Sequence, residues 1–303
     1  MLSVARMDLD GPTSPTALVT KILKAEPGLT LPIPIEAIAI QLDITDIVDI
    51  EADGFVGGLI TDTSRSSGSI LVQRGLMEER RRFTIGHELG HFLMVHHKGA
   101  AEGFRCTAVD MRRNQRAGEL TPAMRWEVEA NEFSSLLLMP PPIWRQEMTR
   151  FRQPDIGQVT QMAKRFGVSK EAAARTFASY HEQPIAMVVV KDGKFERAYC
   201  NFSTFPKLCV SRGMPIPAGS IFHRAKHIAG QTTDVVEARA EAWLESDWGK
   251  PLPELSEQVQ FQAGGYALIM LWAEMQGEDE EFDSDENRTA KQRFADRISR
   301  FGR

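Results

Sequence analysis

The sequence predicts an α+β protein of two domains joined through a short helical module, and three observations lead there. The first is length: 303 residues are about twice the usual single-domain size of roughly 150. The second is a change of period, from short alternating apolar stretches before residue 74 to 3.6-residue periodicity from Glu78 onward. The third is punctuation at Pro184, followed by two apolar runs flanking Lys191-Asp192-Gly193-Lys194, which read as a hairpin opening a second domain.

The elements follow in order. Residues 16 to 26 have the pattern of a short helix, and Leu31-Pro32-Ile33-Pro34 turns the chain into another, Ile35 to Leu42. Ile44 to Ile50, Gly54 to Thr61 and Gly68 to Gln73 read as strands. From Glu78 the periodicity becomes helical and runs through Arg82, Ile85, Leu89 and Leu93, with Arg80-Arg81-Arg82 read as a solvated face, and the polar stretch Lys98 to Thr121 is too long for an ordinary connection. Pro122 opens a second strong helix through Phe133 and Leu137 that Pro140-Pro141-Pro142 stops. Between Asp155 and Tyr180, two short helices meet at Phe166-Gly167-Val168-Ser169, the turn and cap of a helix-turn-helix. Beyond Pro184 come the hairpin strands Ile185 to Val190 and Phe195 to Asn201, a helix around Val235 to Leu244 and a strand at Tyr266 to Trp272. These suggest a small α/β domain. Residues 278 to 286 are nearly all acidic and the remainder mainly basic, so the last segment reads as a solvated tail.

Composition bounds the function. With 42% hydrophobic and 25% charged residues, the chain is neither collagenous nor wholly disordered. A net charge of −5 argues against coating nucleic acid or anionic membrane through bulk charge. Cys106, Cys200 and Cys209 lack CxxC spacing, so reduced thiols in a cytoplasmic protein are the expectation. Met1 to Thr16 has no signal-peptide core, and the apolar runs at Leu136 to Met139 and Tyr266 to Trp272 fall far short of the roughly 20 residues that span a bilayer. No membrane partner is expected.

The chemistry concentrates in Phe83-Thr84-Ile85-Gly86-His87-Glu88-Leu89-Gly90-His91-Phe92. On a helix, residues four apart share a face, so His87 and His91 can hold one metal ion while Glu88 sits about 100° around. This is the HExxH arrangement of two imidazole ligands and a glutamate base. A catalytic zinc takes a third protein ligand. His97 follows His91 by six residues, as in metzincins, but the glycine that turns such chains is replaced by Met94. The helix is expected to carry His97 away, with His96 off the face too. The second helix offers Glu127, Glu129 and Glu132, among which helical geometry alone does not choose. For oxyanion stabilisation, Tyr180, His181, His223 and His227 are candidates by residue type only.

His87-Glu88-Leu89-Gly90-His91, then Trp126-Glu127-Val128-Glu129-Ala130-Asn131-Glu132-Phe133 and Leu136-Leu137-Leu138-Met139-Pro140, resemble the ImmA/IrrE family of bacterial zinc metalloendopeptidases over about residues 30 to 180. The resemblance implies Zn²⁺ (or another divalent ion such as Mn²⁺) on His87, His91 and Glu129, with Glu88 as general base. It implies a zincin-like metallopeptidase domain over residues 1–145, a helix-turn-helix-like module over 146–181, a carboxy-terminal, GAF-like sensor domain over 182–276, and a charged tail over 277–303. It further implies a protein substrate, a helix-turn-helix repressor of the Xre type, whose cleavage relieves repression under stress or during mobile-element induction. The alternative is a metal-binding transcriptional regulator acting without proteolysis. Residues 145 to 175 carry seven basic and three acidic side chains, which suits phosphate contact. Against this, Lys170 to Ala178 is alanine-rich and offers little to read base edges. Structural support of the peptidase, or contact with a protein substrate, is favoured over DNA binding.

Overall fold

The computed structural model describes residues 2–11, 13–97, 104–106, 121–201, 203–246 and 251–274. The stretch 277–303 read as a tail, and most of the polar segment 98–121, lie outside the described residues. The chain divides into two compact units, Met1–His181 and Glu182–Arg303.

The first unit opens with helices α1 (Pro15–Ala25) and α2 (Ile35–Gln41), then strands β1 (Ile44–Ile50), β2 (Gly57–Thr61) and β3 (Gly68–Gln73). Pro15 starts α1 at the first helical position, where its missing N–H costs nothing, and the Ser14 hydroxyl caps it by accepting from the Ala17 amide. β1 runs parallel to β3, β2 is antiparallel to β3, and the short β4 (Phe104–Cys106) pairs antiparallel with β2, giving the order β1-β3-β2-β4. Ile70 and Val72 of β3 and Leu59 of β2 are buried on a sheet that contacts α3 (Glu78–Leu93). All nine residues from Thr84 to Phe92 are buried, so the helix bearing the histidines runs through the interior.

Next come α4 (Pro122–Leu138), α5 (Pro141–Met148), α6 (Ile156–Phe166) and α7 (Lys170–Tyr180). Pro141 and Pro142 end α4 and at the same time open α5, a helix that crosses the expected boundary at residue 145. Glu147 of α5 is buried and paired with Arg165 of α6, and the Trp144 ring lies 4.8 Å from that of Phe166. Between α6 and α7, Gly167 adopts φ +63°, and Ser169 caps α7 by accepting from the Ala172 amide at 3.1 Å. That turn is fastened to α3: Arg82 donates to the Gly167 carbonyl at 3.0 Å and to the Ile33 carbonyl at 2.8 Å. Arg82 is therefore not part of a solvated basic face, and Arg81 is paired with Glu36 and Asp49. Ser179 is the single exposed residue of the eleven in α7.

The second unit is built on five antiparallel strands, β5 (Ile185–Lys191), β6 (Lys194–Cys200), β7 (Val236–Ala238), β8 (Glu254–Phe261) and β9 (Tyr266–Glu274), in the order β6-β5-β9-β8-β7. Asp192 and Gly193 both have positive φ, at 49° and 73°, as a two-residue type I′ hairpin turn requires. One apolar face, including Val188, Val190, Ile269 and Leu271, packs with Phe205, Phe222 and Trp243. The helix expected over Val235 to Leu244 is corrected: Val236–Ala238 pairs with Leu255–Glu257 of β8, and only α8 (Ala240–Trp243) is helical. Pairing at a sheet edge overrides the local helical pattern there. No helix among the described residues is long and apolar enough to cross a membrane.

Candidate metal centre

The centre begins with two glycines. Gly86 and Gly90 are four apart on α3, and a Cβ built on Gly86 would come within 2.6 Å of Ser134 Oγ, one on Gly90 within 3.1 Å of the Phe133 ring. Absence of both side chains lets α4 lie close against α3. Ser134 seals the contact by donating from Oγ to the Phe83 carbonyl at 2.8 Å. Two helices held this closely bring α4's inward side chains within reach of the histidines.

His87 and His91 face each other with their Nε2 atoms 3.0 Å apart, and both rings are fully buried. The carboxylate that meets them belongs to Glu127, whose oxygens lie 3.3 Å from His87 Nε2 and 3.5 Å from His91 Nε2. Glu129 does not reach this cluster. Its Oε2 lies 2.8 Å from His97 Nε2 and 2.6 Å from His96 Nε2, so the expected third position is corrected from Glu129 to Glu127. The reason is angular: two residues along a helix is about 200°, so Glu127 and Glu129 point to different neighbours. Glu132 turns a third way, its Oε1 being 3.5 Å from Thr16 Oγ1 of α1. The signal available in the sequence was Asn131, four residues after Glu127 on the same face, whose Oδ1 lies 2.9 Å from His87 Nδ1.

His97 is corrected too. Instead of being carried off, it is fully buried with its Nδ1 2.9 Å from His91 Nδ1. Helix α3 ends at Leu93, and Met94 is extended at φ −84°, ψ 91°, so the chain doubles back without the glycine. Arg65, from the β2–β3 connection, makes this possible by donating to the carbonyls of His91 at 2.8 Å, Met94 at 3.0 Å and His97. A guanidinium on the last carbonyls of a helix satisfies acceptors that have no intrahelical donor. Trp126 stacks over His97 at 5.9 Å.

Burial drives the His91 imidazole down to about 4 and the His97 imidazole to about 3, so both are neutral at pH 7. Two imidazole nitrogens and a carboxylate converge here, the His₂Glu set of catalytic zinc sites. Their separations of 3.0, 3.3 and 3.5 Å match the ~3.3 Å edge of a tetrahedron with metal–ligand bonds of about 2.0–2.1 Å. The donor set fits a divalent cation. Asn131 Oδ1 accepts a hydrogen bond from His87 Nδ1–H, which leaves the Nε2 lone pair facing the cluster, the outer support that metal-binding imidazoles use. Glu88, next to His87, is fully buried.

Of the residues considered for the oxyanion, Tyr180 lines a cavity of about 330 Å³ with Asn131 and Arg175, and His181 packs on Phe177 at 5.0 Å. His223 and His227 lie in the second unit, where each ring meets a backbone carbonyl.

The two-helix donor set on this α+β frame defines a metallopeptidase domain. Residues 46–178 match the family model of the IrrE N-terminal-like domain of the M78 peptidases, and they form a domain of the ImmA/IrrE metallopeptidase family. No curated protein matches the chain.

Proposed function

We propose that the protein is a cytoplasmic zinc endopeptidase acting on a specific protein, with His87, His91 and Glu127 as ligands and Glu88 as general base. The observation that carries this reading is the buried convergence of the two imidazoles and the Glu127 carboxylate at near-tetrahedral edge lengths. Zn²⁺ held by these three side chains would polarise a scissile carbonyl and lower the pKa of water towards about 7. Glu88, one position from His87 on α3, is the carboxylate that would accept a proton from water and deliver it to the leaving amine. Burial of α3 keeps bulk water from competing for His87 and His91.

The substrate reading, a helix-turn-helix repressor of the Xre type whose loss relieves repression under stress or mobile-element induction, rests on the family resemblance. A signal-sensing role for the carboxy-terminal unit has the same basis. DNA contact through α7 is disfavoured, because ten of its eleven residues are at least partly covered. The test is metal analysis of the purified protein, followed by incubation with candidate repressors and mapping of the cut. One equivalent of zinc, a discrete cleavage and its loss in Glu88→Gln with zinc retained are expected. Cleavage that persists in Glu88→Gln, or Glu127→Ala binding zinc as tightly as the parent, would sink the assignment.

A further inference from the structure

We infer that Glu129 and His97 form a carboxylate–imidazole relay that fixes the tautomer of His91 and so presents its Nε2 to the metal. The inference rests on the reading of His91 as a ligand and extends it to two residues that touch no metal in that reading.

The argument is a count of protons. A neutral imidazole carries one N–H and one lone pair. Glu129, as a carboxylate, can only accept, so the 2.8 Å contact with His97 requires the His97 proton on Nε2. That leaves His97 Nδ1 as a bare acceptor. The 2.9 Å contact between the two Nδ1 atoms then places the His91 proton on its own Nδ1, and His91 Nε2 is left with its lone pair directed at His87 and Glu127. Every assignment follows from the first, and the relay ends where the metal ligand begins.

The surroundings support this placement. His97 is fully buried, Trp126 covers its face, and Arg65 holds the carbonyls of His91, Met94 and His97. The two ligands are thus supported differently: His87 by the neutral amide of Asn131, and His91 by a carboxylate acting through a second ring. The same count bears on a cation held by His96, His97 and Glu129, whose ligand atoms also cluster. With His91 Nε2 and His97 Nε2 both on metals, each neutral ring would carry its proton on Nδ1. Two N–H groups would then oppose each other across 2.9 Å. The relay and a second cation therefore exclude one another.

The test measures zinc affinity by chelator competition and the visible spectrum of the Co²⁺-substituted full chain, with folding followed by circular dichroism. Glu129→Ala and His97→Phe, the latter keeping a ring beneath Trp126, are expected to weaken zinc about 10–100-fold, as loss of outer support does. Glu129→Gln, whose amide oxygen still accepts from His97, is expected to keep most of the affinity. The cobalt band should shift in His97→Phe. Parent-like zinc affinity and an unchanged cobalt band in both weakened variants would overturn the relay while leaving the metal centre standing. So would a parent chain that binds two equivalents of zinc and loses only the second in these variants. A parent that binds no zinc overturns both the relay and the function it serves. Should His97→Phe fail to fold, the comparison of Glu129→Ala with Glu129→Gln at a partly exposed position decides alone, equal affinities counting against the relay.

Discussion

Gly86→Ala sets two physical effects of opposite sign against each other. In an isolated helix, alanine is preferred over glycine by about 1 kcal/mol, so helix propensity alone makes the variant more stable. The contact with α4 predicts the reverse. The new methyl would lie 2.6 Å from Ser134 Oγ, 3.2 Å from its Cβ and 3.4 Å from its Cα. Rotating the hydroxyl away breaks its bond to the Phe83 carbonyl, a loss of about 1 kcal/mol. The Cβ and Cα remain in the way, and moving α4 to accommodate them costs a further ~1–3 kcal/mol as overpacking. The expected net effect is a loss of about 1–3 kcal/mol, with weaker zinc binding as Glu127 is carried away from the imidazoles. Urea denaturation of the full chain, following the transition of the amino-terminal unit, reads the first, and chelator competition the second. Gly86→Ala combined with Ser134→Gly should recover most of both. An unchanged or raised denaturation midpoint in the single variant would refute the close approach of the two helices.

Arg65→Ala should destabilise the first unit by about 2–3 kcal/mol, since charged hydrogen bonds to the end of α3 are lost together; a denaturation midpoint within error of the parent would contradict this. In the second unit, burial raises the Glu257 carboxyl above its ordinary value, only partly offset by Ser220. The folded state then holds this proton to higher pH than the unfolded chain does. Stability of the unit should fall as pH rises from about 4.5 through the raised value, and then level off. Glu257→Gln, neutral throughout, should flatten that dependence and raise stability at pH 7; a parent-like pH profile would count against it.

The histidine pair was legible because one helical period decides it: any helix through residues 87 to 91 puts both rings on one side. The strands β1 and β3 were legible for a similar reason, their period of two being a local property. The choice of glutamate was not, because α4 carries three of them and each has a neighbour to meet. Asn131, paired with His87, settles it only once α3 and α4 are known to touch. The return of His97 was hidden more deeply. It depends on Arg65, 32 residues earlier in the chain, and no local pattern reveals a helix end capped from so far away. The helix over Val235 to Leu244 failed for the complementary reason, since three of those residues found a strand to pair with.

The bond from Arg82 to the Gly167 carbonyl fixes the smallest piece of this protein that can be expected to stand alone. A fragment cut at residue 145 would keep Arg82 and Trp144 but remove Gly167 and Phe166, exposing a partly buried guanidinium and a large indole. A fragment ending at His181 keeps both partners. In domain dissection, then, the helix pair α6–α7 travels with the helix that carries the two histidines.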